Sequence, residues 1–338
     1  MPSCVAGRSC GTSATERRLR HTSVTRFRGP GVAQAGAGRE DHCVRVVVAG
    51  SSGLIGTALV AGLRGAGHDV LRLVRRTPSG PDERGWDPPA GRIDPGALDG
   101  ADVVVGLGGL GIADRPWSGA RRQALRDSRI VPTEVLATAV AQAGVPALVS
   151  GSAVGYYGDA GPDEIDESAP SGGGFLAALC RDWEAATAPA AEAGARVVTV
   201  RTGLVLSPSG GMLALMRPVW KAFLGARIGS GEQYMPWVSL DDEMAGIRFA
   251  VENAGITGPI NMTGPAPVTN AVFTQGLAQA VGRPAPLAVP GPVVSTLLGD
   301  LGRETLLFGQ RAVPRALLDA GFTFRHRTLA DALSAAVH

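Results

Sequence analysis

Three glycines spaced three residues apart are the first chemical signal in the chain. They lie in the run Gly50-Ser51-Ser52-Gly53-Leu54-Ile55-Gly56, directly after an apolar stretch and at the opening of a helical pattern. Glycine permits positive-φ turns and close approach to a ligand. A helix N-terminus adds free N–H groups and a partial positive charge. The run therefore predicts a loop that holds the pyrophosphate of a dinucleotide, with a purely structural turn as the alternative.

Two adjacent basic residues, Arg75 and Arg76, follow the next apolar run. Sites that prefer NAD place a carboxylate at this point to hold the ribose hydroxyls. A guanidinium pairs with a 2′-phosphate, which a carboxylate would repel. The pair therefore favours NADP(H) as the cofactor. The alternative is that both arginines only solvate the end of a strand.

The elements around these residues follow a repeating order. An apolar run is followed by the glycine loop, a helical stretch from Ile55 to Arg64 and a second apolar run, which is the unit that builds a parallel sheet. Later apolar runs alternate with helical patterns at 118–143 and 175–193. This alternation predicts an α/β Rossmann fold with a doubly wound parallel sheet over residues 43–206. The apolar runs are Val44–Ala49, Val70–Val74, Val103–Leu107, Ala147–Ser150 and Val197–Val200.

The order is looser on both sides of this region. Residues 1–42 are rich in Arg, Ser, Thr and Gly without a hydrophobic period, which predicts a disordered extension, with a transit peptide as an alternative. Glycine and proline clusters after Leu206 predict a smaller cap, with substrate-lobe segments at 207–285. Helical patterns at 293–307, 313–320 and 329–337 predict a small helical domain at 286–338.

Composition excludes several classes of function. The formal net charge is +2 and aromatic residues make up 5% of the chain, so neither a phosphate-binding stripe nor a base-stacking surface is indicated, and we expect no nucleic-acid partner. Four scattered cysteines indicate no disulfide framework and no metal site. No apolar run is long enough to cross a bilayer. These features predict a cytoplasmic protein, monomeric or homodimeric, that acts on a small molecule.

Motifs along most of the chain resemble one known family. The segments VVVAGSSGLIGTALV, SRIVPTEVL, SGSAVGYYGD, VRTGLVLS, GSGEQYMPWVSLDDEMAGI and GQRAVPRALLDAGF occur in order. Together they resemble the extended, epimerase-like branch of the short-chain dehydrogenases/reductases, in particular epimerase-family oxidoreductases with a C-terminal domain of unknown function. The resemblance implies NADP(H) contacts from the glycine loop, Arg75 and other positions. These other positions are Leu107, Gly108, Gly109, Arg129, Ser150 and the backbone near Val205.

The acid–base residues of that superfamily are missing. Its members use a tyrosine and a lysine four residues later, where the lysine lowers the tyrosine pKa. No tyrosine here is followed by such a lysine, and Lys221 is the only lysine in the chain. Aligning the helix that should carry the pair puts Leu176 at the tyrosine position and Cys180 at the lysine position. Ser152 stands where the family serine is expected, although a simple turn serine is an equal alternative.

Further candidates surround the expected substrate crevice. Tyr156 and Tyr157 follow Ser152 and could donate a proton if one points inward, although aromatic packing is the alternative for each. Trp117, Gln233 and Trp237 could line the crevice, and core packing would explain the tryptophans equally well. The sequence thus favours an NADP(H)-binding, epimerase-like oxidoreductase. The alternative is a non-catalytic NADP(H)-binding protein that senses redox state or acts as a scaffold, with a possible link to cell division.

Overall fold

The secondary structure of residues 43–337 comprises sixteen strands and ten α-helices. The computed structural model describes these residues, without the side chains of residues 215 and 217, and the predicted disordered extension lies outside the described residues. The strands are β1 (Arg45–Ala49), β2 (Asp69–Val74), β3 (Glu83–Asp87), β4 (Arg92–Ile93), β5 (Val103–Gly106), β6 (Ala147–Ala153), β7 (Glu164–Ile165), β8 (Arg196–Thr202), β9 (Leu204–Leu206), β10 (Ala226–Ile228), β11 (Tyr234–Met235), β12 (Trp237–Ser239), β13 (Gly258–Met262), β14 (Val268–Thr269), β15 (Leu287–Val289) and β16 (Arg311–Ala312).

Helices flank and follow the strands. They are α1 (Leu54–Gly65), α2 (Gly119–Ala143), α3 (Phe175–Ala185), α4 (Ala188–Glu192), α5 (Gly211–Lys221), α6 (Leu240–Glu252), α7 (Asn270–Ala280), α8 (Gly291–Gly302), α9 (Arg315–Asp319) and α10 (Leu329–Val337). Short 3₁₀ turns span Pro88–Ala90 and Val154–Tyr157, and a π-helix spans Arg303–Leu307.

Eight strands form the central sheet, in the order β13-β8-β6-β5-β1-β2-β3-β4. All neighbours run parallel except β3 and β4, which pair antiparallel. The chain reverses its direction of winding between β1 and β5, so a crevice opens beyond the carboxyl ends of these two strands. The predicted doubly wound α/β Rossmann fold is confirmed.

Strand β1 shows why the sheet is covered on both faces. Val46, Val47 and Val48 are all fully buried. Val46 and Val48 pack with Leu59 of α1 on one face, while Val47 packs with Leu136 of α2 on the other. Burial on both faces is typical of parallel strands between two helical layers. Each such side chain contributes about 1.5–3 kcal/mol, and the register of the sheet positions the loops at its edge.

The C-terminal region contributes to more than one hydrophobic core. Leu317, Phe322 and Phe324 pack into the core that contains α1 and α6. The buried face of α10 instead packs with Leu206, Trp237 and residues of α7 in a separate core. The apolar residues of the predicted 286–338 domain are therefore divided between the Rossmann core and the core of the 207–285 segments.

Candidate functional site

The glycine loop connects β1 to α1 at the point where the sheet reverses its winding. Gly50 has a φ of +83°, and a Cβ on it would lie 2.8 Å from the carbonyl carbon of Leu107. A Cβ on Gly56 would lie 2.2 Å from the Gly50 oxygen. The Gly53 amide donates to that same oxygen at 3.1 Å. The loop is thus pressed against both its own helix and the segment after β5, and side chains would disrupt it.

The N-terminus of α1 is left open toward this loop. Gly53 is its N-cap residue, so no side chain caps the helix, and its first turn contains no acidic residue. The first amides of a helix lack intrahelical acceptors and carry partial positive charge. With glycines keeping the approach clear, this arrangement fits the pyrophosphate of a dinucleotide.

A cavity of about 800 Å³ lies beside the loop. Its walls bring together seven of the residues expected to contact the cofactor, namely Gly50, Ser51, Ser52, Arg75, Arg76, Gly108 and Gly109. Other residues also line this cavity and were not expected from the sequence, namely Trp86, Pro88, Pro89, Ser128, Val131 and Pro132. The volume and the apolar side of this cavity suit a nucleoside with a flat base.

The two arginines of the basic pair have different environments. Arg76 donates from both terminal nitrogens to Glu83, at 2.8 and 2.6 Å. It also donates to the Thr77 carbonyl and the Ser79 hydroxyl. Arg75 is exposed at the cavity wall and makes no hydrogen bond or ion pair to the described residues. Arg75 therefore keeps its donors for a ligand, whereas those of Arg76 are largely used.

Glu83 is the carboxylate that holds Arg76 and Arg72 beside the cavity. Its carboxylate is fully buried, and it accepts hydrogen bonds from Arg76 and from the amide and hydroxyl of Ser79. Arg72 forms a further ion pair with it at 2.8 Å. The hydrogen bond from Arg76 is the main cause that lowers the pKa of Glu83 to about 2. The carboxylate thus stays charged and holds Arg76 in place.

Arg129 lies behind the loop that follows β5. Its guanidinium is buried and donates to the Leu110 carbonyl at 2.8 Å, and it lies 5.2 Å from the ring centre of Trp183. A Cβ on Gly109 would approach the guanidinium carbon to 3.0 Å. Burial lowers the pKa of Arg129. Through these contacts, Arg129 supports Gly109 and Leu110 of the cavity wall from behind.

The other expected cofactor residues lie around the loop. Leu54 approaches Gly210 and Gly211 with its side chain, and Ile55 and Leu107 pack against the core that contains α1. Val205 pairs with Val238 between β9 and β12. Ser150 is buried, and its hydroxyl donates to the Gly151 carbonyl at 3.3 Å. None of these five expected residues lines the cavity of about 800 Å³.

Ser152 belongs to a buried charged network at the end of β6. Its hydroxyl donates to Glu184 Oε1 at 2.6 Å. Arg201 donates from Nε and Nη2 to the two oxygens of Glu184, both at 2.9 Å. The Arg201 side chain is 4% exposed, so this bidentate pair is almost free of solvent screening. The serine is held in one orientation by an ionised partner.

Tyr157 is part of the same network, which limits its chemistry. Its hydroxyl donates to Asn261 Oδ1 at 2.7 Å and accepts from Arg201 Nη1 at 2.9 Å. Burial is the main cause that raises its pKa to about 12. Tyr157 is therefore committed to a buried structural contact rather than pointing into the crevice. Tyr156 is half-buried, and its ring lies 3.6 Å below the Arg201 guanidinium carbon.

The positions aligned with the missing tyrosine and lysine carry no replacement. Leu176 lies on the first turn of α3, against the place where a Cβ on Gly155 would sit, 3.1 Å away. Cys180 follows one turn later and is buried. Burial is the main cause that raises its thiol pKa to about 12, so the thiol is neutral at physiological pH.

The three expected crevice residues differ in outcome. Trp117 is half-buried, donates to the Ile112 carbonyl at 3.0 Å and packs edge-on against Phe175. Gln233 donates to the Leu306 carbonyl at 2.9 Å and to a second carbonyl, which joins the cap segments. The placement of Trp237 in the crevice is corrected, because its side chain is 1% exposed and its ring faces Gly264 in the core.

Neither a metal site nor a membrane span is found in residues 43–337. No group of three or more His, Cys, Asp or Glu side chains in this range could hold a metal ion. Within the same range, no helix is both long enough and apolar enough to cross a bilayer.

Two family models match the chain. The NAD dependent epimerase/dehydratase family matches residues 46–262, a range that runs from β1 to the end of β13 and so includes all eight strands of the central sheet. A domain of unknown function, DUF1731, matches residues 289–336. The second match begins at the last residue of β15 and includes helices α8 to α10.

Similar proteins extend this result. An epimerase family protein of Mycobacterium bovis is 56% identical over 288 residues, covering 85% of this chain and 96% of the relative. The human epimerase family protein SDR39U1, solved with NADPH, superposes with a TM-score of 0.80 at 33% identity, covering 87% and 99% of the two chains. A nucleoside-diphosphate sugar epimerase of Corynebacterium glutamicum gives a TM-score of 0.73 at 37% identity, covering 88% of this chain and 59% of that one.

Proposed function

Since this chain belongs to the NAD-dependent epimerase/dehydratase family, we propose that it is an NADP(H)-binding, epimerase-like oxidoreductase acting on a small molecule. One observation carries the choice of NADP(H) over NAD(H). Arg75 stands unpaired at the wall of the cavity beside the glycine loop, where a 2′-phosphate would lie. The human relative, which was solved with NADPH, supports the same choice.

The residues divide the binding task. Gly50, Gly53 and Gly56 let the pyrophosphate approach the open N-terminus of α1. Arg75 pairs with the 2′-phosphate, and the wall that contains Trp86 and Pro88 holds the adenosine. Arg129 keeps the segment after β5 in position from behind. Gly108 and Gly109 allow the ligand to lie close to that segment.

The chemistry is confined to few groups. When bound, NADPH would supply a hydride to a substrate carbonyl carbon, and the carbonyl oxygen would then take up a proton. Ser152 is the candidate that contacts that oxygen; because its own proton is directed to Glu184, it is arranged to accept a hydrogen bond from the hydroxyl of the alcohol and not to donate to the carbonyl. Tyr156 is the candidate that supplies the proton, whereas the contacts of Tyr157 argue against such a role.

A second function is favoured by a specific observation. The tyrosine and lysine positions carry Leu176 and the buried neutral thiol of Cys180. A protein that binds NADP(H) without turning over a substrate, as a redox sensor or scaffold, needs the cavity but no proton-transfer pair. Both functions share the cofactor and differ only in catalysis.

Calorimetric titration with NADPH and NADH tests the cofactor assignment, and we expect NADPH to bind at least about tenfold more tightly. Turnover is then assayed by the loss of NADPH absorbance with a panel of aldehydes, ketones, enones and nucleotide sugars. Substrate-dependent loss that disappears in Ser152→Ala and persists in the exposed control Ser168→Ala supports the enzyme. NADPH binding without any turnover supports the non-catalytic function, and no binding of either cofactor contradicts both.

A further inference from the structure

The π-helix Arg303–Leu307 places a carboxylate on the first turn of α3. Glu304 accepts hydrogen bonds from the amides of Phe175 and Leu176, at 2.9 and 2.8 Å. The N-cap residue of α3, Gly174, has no side chain for this task, so a residue distant in sequence caps the helix. The capped turn carries Leu176, which lies against Gly155, three residues after Ser152, so the contact is close to the serine network.

A second contact joins the same segment to α2. Asp300, near the end of α8, accepts from Arg122 at 2.5 Å. The Arg122 guanidinium also lies 5.9 and 5.4 Å from the ring centres of Trp117 and Phe175. The segment is thus tied to α2 and α3, through one carboxylate on each.

The two carboxylate contacts differ from the network around Ser152 in their exposure to solvent. The side chains of Arg122 and Asp300 are 37% and 42% exposed. An ion pair this exposed is worth at most about 1 kcal/mol, because water screens it and competes for both partners. Glu304 is half-buried. Contacts of this strength can break and re-form without unfolding the sheet.

The segment also contains features of a hinge. Gly299 interrupts α8 with φ 59° and ψ −141°, a conformation that side chains disfavour, and the π-helix follows directly. Val294 is buried, which anchors one end of the helix, whereas Leu297 is 75% exposed. Interruptions of this kind accompany functional movement in helices. The chain can therefore bend at Gly299 while Val294 stays in place.

We propose that the segment 300–307 is a lid over the substrate end of the crevice, hinged at Gly299 and latched by Glu304 on α3 and Asp300 on Arg122. The lid rests on the proposed function, because it regulates access to the same site. In the latched state, the Glu304 carboxylate covers the first turn of α3. Release of both carboxylates, together with the hydrogen bond from Gln233 to the Leu306 carbonyl, lets the segment swing away and admits the substrate beside Ser152.

Hydrogen–deuterium exchange of the full chain tests the lid. We compare the wild type with Glu304→Gln, Asp300→Asn and the control Asp319→Asn, whose exposed carboxylate lies at the end of α9. We expect amides of 300–307 and those of Phe175 and Leu176 to exchange together, at least about tenfold faster than amides of β6. Glu304→Gln should raise both rates by about tenfold, since hydrogen bonds to a charged acceptor are lost. Asp300→Asn should raise both to a smaller extent, and the control should change neither.

Two results would overturn the lid. Exchange of 300–307 only at the rate of β6 in all variants would show a fixed wall of the fold. Faster exchange at Phe175 and Leu176 alone in Glu304→Gln would show a local helix cap. Titration of the same samples with NADPH separates the two proposals, because Glu304 and Asp300 lie outside the cofactor wall and should leave the Kd within about twofold. Loss of NADPH binding in the wild type would contradict the proposed function, not the lid.

Discussion

Arg76 and Glu83 form a bidentate ion pair in which both terminal nitrogens of the arginine donate to the buried carboxylate. The pair is next to Arg75, which has no such partner among the described residues. The hydrogen bond that Arg76 donates to Glu83 is the main cause that raises the pKa of Arg76, so this arginine stays charged and occupied. Of these two adjacent arginines, Arg76 is used within the fold, whereas the donors of Arg75 stay free for the proposed contact with a 2′-phosphate.

The first prediction compares these two arginines. Arg75→Ala should weaken NADPH binding by about 10- to 100-fold and leave NADH binding within about twofold, because only NADPH carries the 2′-phosphate. Arg76→Ala should weaken NADPH less and lower the melting temperature more, because it leaves Glu83 buried with fewer donors. Calorimetry and thermal unfolding measure the two effects. Equal losses of NADPH affinity in both variants would contradict the division of tasks.

The second prediction concerns the closeness of the glycine loop. Gly56→Ala should abolish measurable NADPH binding, a loss of about 100-fold or more, because its Cβ would lie 2.2 Å from the Gly50 oxygen. Gly65→Ala, at the other end of α1, has no neighbour within 4 Å of the added Cβ. This control should bind normally and be about 0.5–1 kcal/mol more stable. Normal binding by Gly56→Ala would exclude the loop as the pyrophosphate site.

The third prediction concerns the network around Ser152. Arg201→Ala should lower the free energy of unfolding by about 3–5 kcal/mol, because it leaves the Glu184 carboxylate without its buried partner. The matched control is Arg92→Ala, whose ion pair with Asp87 has side chains 73% and 47% exposed. The control should change the free energy by less than about 1 kcal/mol. Urea denaturation measures both, and similar small effects would show that the network contributes little to the fold.

The fourth prediction concerns the pH dependence of stability. Glu243 is fully buried, accepts from the Thr202 hydroxyl at 2.7 Å and has its other oxygen unpaired among the described residues. Burial raises its pKa from 4.5 to about 8. Between these values the folded state holds a proton that the unfolded chain has lost, so this contribution to stability is present below about pH 4.5 and is lost as pH rises through about 8.

Replacing this carboxyl removes the dependence. Glu243→Gln should reduce the fall in unfolding free energy between about pH 5.5 and about pH 8.5 by roughly 3 kcal/mol. Urea denaturation at the two pH values checks this, with Glu232→Gln as the exposed control. An unchanged pH slope in Glu243→Gln would mean that Glu243 is ionised in the folded protein.

The local parts of the site were predictable from the sequence. The glycine loop, α1 and Arg75 lie within one strand-helix-strand unit, so short-range spacing determines their arrangement. The parallel order of the sheet followed from the alternation of apolar runs and helical patterns. In each case the signal is contained in residues that are neighbours along the chain.

The missed features depend on distant contacts. The hairpin of β3 and β4 places Trp86 in the cavity wall and Glu83 against Arg76. Its second strand has only two residues and no periodic pattern, so the sequence did not indicate it. Glu304 meets Leu176 across 128 positions. The burial of Trp237 and the commitment of Tyr157 to Asn261 also arise only when separate segments pack together. Residue type alone gives an aromatic side chain the same signal in a crevice and in a core.

The packing of Leu317, Phe322 and Phe324 against the core that contains α1 has a consequence for biosynthesis. These residues follow all eight strands of the central sheet along the chain, so the apolar surface of α1 and α6 is incompletely covered until they have been synthesised. We expect the Rossmann sheet to reach its final stability only after these residues have left the ribosome. A transcript that ends early would therefore yield an aggregation-prone fragment instead of a smaller working protein.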